Sequence, residues 1–211
     1  MLAPAFLALV CTPSSADPTL GFVETWAGGV THRWFTQATL TNPGSGGVDG
    51  ATDGFLRIQR TTPDHLGAAS SGPEYTGNWT AAGIREIRLQ LSDLGTDDHL
   101  EIHVAVGGFN DLWQYNPGFV PPLDGWTEFD VDLTDSTKFT HIIALDGTGF
   151  AAALENVQVL HVRHDLAPYL RAPDSAIGDF GLDNVTLTQP GFVPALPSTW
   201  GRIKAMYRER P

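Results

Sequence analysis

Hydrophobic and polar positions alternate with a period of two along much of the chain. In "LEIHVAV", Leu100, Ile102, Val104 and Val106 share one phase, with Glu101 and His103 on the other. In "WTEFDVDL", Phe129, Val131 and Leu133 oppose Glu128, Asp130 and Asp132. This is the signature of a strand with one buried and one wet face, as antiparallel sheets have. "RWFTQATL", "GFLRIQRT", "IREIRLQL", "FTHIIAL", "VQVLHVR" and "LDNVTLT" read as further strands, separated by loops of Gly, Pro, Asn and Asp. Strands at this spacing predict an all-β fold, an antiparallel β-sandwich of the jelly-roll type, over residues 17–188. "FAAALENV" predicts a short helix between two strands, and no solenoid or propeller period is present. One position breaks the pattern. In "GDFGLDNVTL", Asp183 falls on the phase of Val185 and Leu187, so strict alternation would turn a carboxylate toward the core.

Both ends read differently. "MLAPAFLALVCTPSSA" is apolar and closes on Ser14-Ser15-Ala16, which predicts a signal peptide over residues 1–16, truncated because the positive n-region is missing. Cys11 is the single cysteine, so the mature chain would hold neither a disulfide nor a thiolate zinc site. No other run is long and apolar enough to span a bilayer. The expectation is a secreted protein, extracellular or at a bacterial cell surface. Residues 189–198, with Pro190, Pro194 and Pro197, read as an extended linker. Residues 199–211 read as a short amphipathic helix: Trp200, Ile203 and Tyr207 recur on one face, and Arg202, Lys204, Arg208 and Arg210 outweigh Glu209. This tail resembles the Trp-Gly-x-Ile-Lys endings of exported proteins in some environmental bacteria, which implies sorting or surface attachment. The alternative is a helix that packs loosely on its own domain.

Composition supports the pattern. The 211 residues suffice for one domain with a sizeable core, and 23 glycines, 15 prolines and 17% charged residues suit a turn-rich β protein. A net charge of −12 repels phosphate backbones and argues against nucleic acid as a partner. It is compatible with hard cations and neutral polysaccharides, or it serves only solubility.

Sugars stack their C–H faces on aromatic rings, and polar side chains fix the hydroxyls. "GGFNDLWQYNPGFVPP" places Trp113, Tyr115 and Phe119 in what reads as a loop, with Asn110, Asp111, Gln114 and Asn116 beside them. Trp113 and Tyr115, with Asn110 and Asn116, are therefore the expected glycan platform; Trp26, Trp34 and Trp126 are expected in the core. In "HVRHDLAPYLRAPD", His161, Arg163 and Asp165 share a strand phase that His164 does not. Arg163 is expected to pair with Asp165, or to join Arg57, Arg88, Gln90 and His103 in a polar groove that binds the ligand. Glu128, Asp130 and Asp132 resemble the E-x-D-x-x-E strand of laminarinase-type glycosidases. The third acid comes one residue early and is Asp, and a wet sheet face explains the three more simply. No G-x-S-x-G, Cys–His or H-E-x-x-H motif occurs.

"GNWTAAGIREIRLQL", "WQYNPGFVPPLDGWTEFDVDLTD" and "LHVRHDLAPYLRAPDSAIGDFGLDNVTL" together resemble bacterial exported domains related to laminin-B and carbohydrate-binding-module jelly rolls. The resemblance implies extracellular recognition or adhesion, often with a structural calcium ion that ties the first strand and a loop to the last strand. Carried onto this chain, it implies Glu24, Asp53 and Asp183 as metal ligands, with Asp49 as a solvated turn residue. The expectation is a non-catalytic carbohydrate- or glycan-binding module with structural calcium. The alternative is a self-assembling structural or adhesive surface protein, and the third reading is a glycoside hydrolase-like enzyme.

Overall fold

In the computed structural model, residues 18–95 and 99–192 are described; the expected signal peptide, most of the expected linker and the expected basic tail lie outside them. The alternating stretches form two antiparallel sheets of six strands each. The first sheet holds β1 (Val23–Glu24), β3 (Thr39–Thr41), β4 (Leu56–His65), β6 (Glu86–Asp93), β9 (Thr127–Asp132) and β12 (Ser175–Thr188). Its order is β3-β4-β12-β6-β9, with β1 also pairing β12. The second sheet holds β2 (Trp34–Phe35), β5 (Gly67–Ser70), β7 (Ile102–Gly108), β8 (Asp111–Tyr115), β10 (Phe139–Ala144) and β11 (Val159–His164). Its order is β10-β8-β7-β11-β5-β2. The predicted short helix is present as α2 (Phe150–Glu155), and α1 (Trp79–Ala82) is capped by the Asn78 side chain. The jelly-roll sandwich expected from the alternation is the architecture observed. "RWFTQATL", expected as one strand, divides between the sheets as β2 and β3.

The core lies between the sheets. Leu56, Ile58, Ile87, Leu89, Leu91, Val131, Phe180 and Leu182 face Ile102, Val104, Val106, Leu160 and Val162, all buried. Each such side chain contributes roughly 1.5–3 kcal/mol of burial free energy. Trp26 and Trp34 join this core as expected, with Tyr75 and Trp79 beside them.

Asp183 escapes the core through a β-bulge. The register of β12 against β6 shifts between Asp183 and Thr186, and Asn184 takes a left-handed φ of 48°. Leu182 points inward, Asp183 sits in the outward row with Gln90 and Glu128, and Val185 and Leu187 return to the core. One extra residue thus slips the phase by one.

A candidate ligand trough on the second sheet

Strand register builds the outer face of the second sheet in rows. Phe35, Ala69, His161, Ala105, Gln114 and Thr140 stand side by side across all six strands. Val159, Gly107, Leu112 and Ile143 form the next row on one side, and Gly67, Arg163 and His103 the next on the other. The centre of this face carries Gly67, Ala69, Ala105 and Gly107, side chains too small to rise above the backbone. A trough of about 410 Å³ results, lined among others by Phe35, Phe109, His65, His161, Leu112 and Pro173. Phe35 and Phe109 flank it and remain 47% and 54% exposed. Five strand spacings span about 24 Å, room for an extended ligand lying across the strands. Among the described residues, no Asp, Glu, Lys or Arg lines the trough. Desolvation, with Arg163 and His65 nearby, pushes His161 down to about 3, so its ring is neutral over the ordinary pH range.

The expected loop platform is not what forms. Trp113 and Tyr115 stand on β8, a strand, and both turn toward the core. Tyr115 is only 5% exposed and packs between Phe129 and Phe139. One face of Trp113 is covered by His141, stacked at 4.1 Å and 7°. Period two explains the inversion: the residues of β8 that face outward are Leu112 and Gln114. Asn110 is exposed in the β7–β8 turn beside Phe109, whereas the Asn116 side chain accepts a hydrogen bond from Thr140. Phe119 stacks on Phe129 against the core.

Arg163 is buried, and its expected pairing with Asp165 is present at 2.5 Å. Burial pushes the guanidinium below its ordinary range, and Asp165 opposes that shift. The polar groove does not assemble, because Arg163 and His103 lie on the second sheet while Arg57, Arg88 and Gln90 lie on the first. His161 and His164 point to opposite faces of β11, as their spacing predicted. Glu128, Asp130 and Asp132 lie on an edge strand away from the trough, with Asp130 near Arg88 and Asp132 near Lys138.

The three expected metal ligands are parted. Glu24 stands opposite Val185, on the core side of the first sheet, and its carboxylate meets His32 Nδ1 at 2.7 Å. Asp183 points outward, away from it, because of the Asn184 bulge. Asp53 and Asp183 do come together beneath the glycine loop that crosses the first sheet. Val48 and Asn184 N–H groups donate to Asp183, and Asp49 N–H donates to Asp53. A Cβ placed on Gly47 would lie 2.5 Å from an Asp53 carboxylate oxygen, 2.8 Å from one of Asp183 and 2.7 Å from the Gly54 carbonyl. These three oxygens therefore crowd together against the Gly47 backbone. Desolvation raises Asp183 to about 7, the two N–H donors oppose the shift, and the Asp53 charge adds to it. Among the described residues no group of three or more His, Cys, Asp or Glu side chains is arranged to hold a metal ion.

No family model matches the sequence, and neither does any curated protein. Solved structures do match in fold. The family 11 carbohydrate-binding module of Clostridium thermocellum, in complex with a β-1,3-1,4-mixed-linked tetrasaccharide, superposes with a TM-score of 0.52 at 18% identity, over 81% of this chain and 96% of that one. An exo-β-agarase matches with a TM-score of 0.56 at 13% identity, over 83% of this chain and 25% of its own length. The C-terminal family 22 module of Clostridium thermocellum Xyn10B matches with a TM-score of 0.50 at 12% identity, over 82% and 95%. The chain folds as a jelly roll, similar to the fold of these carbohydrate-binding modules.

Proposed function

We propose that this chain is a secreted, non-catalytic glycan-binding module whose ligand lies across the strands in the trough of the second sheet. The observation that carries the reading is the trough itself: a floor of small side chains between two half-exposed phenylalanine rings. Its volume falls in the range of roughly 300–1,000 Å³ common to ligand sites. Phe35 and Phe109 offer ring faces for sugar C–H groups, while Gln37, Thr36, His65 and the neutral His161 offer hydrogen bonds. Among the described residues the lining holds no carboxylate pair of the kind that glycoside hydrolysis uses. The tetrasaccharide complex of a family 11 module with the same fold supports the ligand class. The test is affinity electrophoresis and calorimetry against mixed-linked β-glucan, xylan and agarose, repeated with Phe109→Ala and Phe35→Ala. Binding by the wild type and an about tenfold weakening in each variant are expected. No binding to any glycan, or full binding by both variants, overturns the reading.

We further propose that calcium occupies the oxygen cradle of Asp53, Asp183 and the Gly54 carbonyl. Calcium takes six to eight oxygen ligands, and two adjacent carboxylates in a desolvated setting favour a cation or a proton. A bound ion would neutralise the pair and fasten the glycine loop to the last strand. Thermal melting with calcium and with chelator tests this, an unchanged midpoint being the result that rejects it.

A further inference from the structure

Beside the trough, the chain from Leu166 to Asp174 leaves the sheet and folds back over Arg163, His103 and Gln114, all three fully or nearly fully buried. This strap is fastened at several points to polar groups beneath it. Arg163 donates to the carbonyls of Leu170 at 2.7 Å and Arg171 at 3.2 Å while pairing with Asp165 at 2.5 Å. The other oxygen of Asp165 accepts the Asp174 N–H at 3.2 Å, and the Asp174 carboxylate accepts the Leu166 N–H at 2.8 Å. Gln114, from β8, steadies Asp165 with a hydrogen bond of 3.0 Å. The Tyr169 ring packs on His103 at 4.8 Å, and its hydroxyl donates to the Asn116 carbonyl at 3.0 Å. Pro173, which lines the trough, lies between two of these fastenings. Gly67 makes room for the arrangement: a Cβ there would approach the Arg163 Cα and Cβ to 2.8 Å.

We infer that the strap is the side wall of the ligand trough and that Arg163, which the ligand does not touch, is the positioning residue that fixes this wall. This deepens the glycan-binding reading and rests on it. A planar guanidinium can hold two carbonyls and a carboxylate at once, whereas a lysine ammonium keeps the charge and loses the fork. Arg163→Lys therefore retains the ion pair with Asp165 but frees the Leu170 and Arg171 carbonyls. The wall loosens, and the ligand must then order it on binding.

The experiment compares wild type, Arg163→Lys and Tyr169→Phe, which removes the hydroxyl bond to the Asn116 carbonyl, by amide hydrogen exchange and by calorimetry with a β-1,3-1,4-mixed-linked tetrasaccharide and a xylan oligosaccharide. In both variants exchange is expected to rise for residues 166–174 and to stay unchanged for the Ala105 and Val162 strands. Affinity is expected to fall about tenfold with the melting midpoint nearly held. Unchanged exchange in the strap shows that Arg163 does not fix the wall. Raised exchange with wild-type affinity shows that the wall does not serve the site. Either result overturns the inference. If the wild type binds no glycan, the ligand reading fails by itself, and the exchange comparison still decides whether Arg163 holds the strap.

Discussion

The two outer faces of the sandwich are built from the same period-two strands and do opposite things. On the first sheet most outward positions are long and polar, and the small ones, Gly181 and Ser92, lie under the Trp126 and Phe55 rings or beside them. Arg57 pairs with the buried carboxylate of Asp179, Arg88 with Glu86, and Gln90 faces Glu128 at 3.5 Å. The long side chains fill the space above the backbone, and part of that face is covered by the glycine loop and Trp126. On the second sheet the outward positions near the centre are Gly and Ala, and the charges are withdrawn beneath the strap. One face spends its side chains on itself; the other leaves a neutral depression with aromatic rims. The proposed binding surface is made by what the strands omit.

That contrast can be broken at several points. The largest effect is expected at Asp165, because its removal leaves Arg163 buried and unpaired. Asp165→Ala should cost about 3–5 kcal/mol in chemical denaturation. Asp179→Ala, on the charged face, frees an Arg57 whose side chain is 39% exposed and can turn to water; it should cost about 1 kcal/mol. Equal costs would erase the distinction between the faces.

Filling the depression comes next. Ala69→Trp should lower glycan affinity by about a hundredfold, roughly 2.7 kcal/mol, while Gln90→Trp on the other face leaves it unchanged. Gly181→Ala places a Cβ 2.6 Å from the Trp126 ring and should cost about 1–3 kcal/mol of stability without changing affinity. Phe109→Ala should weaken binding about tenfold, whereas Trp113→Ala should lower the melting midpoint and spare affinity, the reverse of a surface platform.

The last test concerns the carboxylate pair. Asp183 is raised to about 7 when folded, against about 4 in the unfolded chain, so the folded state holds a proton that the unfolded state has released between those values. In chelator, stability should therefore fall as pH rises from about 4 to about 7 and then level off. Calcium should remove that slope. A melting midpoint flat in pH under chelator contradicts the assignment.

The fold was legible because alternation is dense on β7, β9 and β12, and each inward phase reached the core. The site was less so. Aromatic residues beside Asn, Gly and Pro in "GGFNDLWQYNPGF" read as a loop, yet β8 continues through them and period two sends the rings inward. The trough is written in small residues, which carry little signal. A usable sign was present nonetheless: Ala105 occupies the phase of Glu101 and His103, where a wet face would place a polar residue. Phe35 likewise follows the core residue Trp34 on the opposite phase. The separation of Glu24 from Asp183 was hidden because a one-residue bulge leaves no mark on composition.

The central position of β12 also bears on the order in which the domain can be completed. This strand lies between β4 and β6 and is the last to be synthesised of the strands described. Until Thr188 has emerged, β4 and β6 have no partner between them, and the first sheet stays open along its middle. A nascent chain of this topology remains short of its native state through most of its translation.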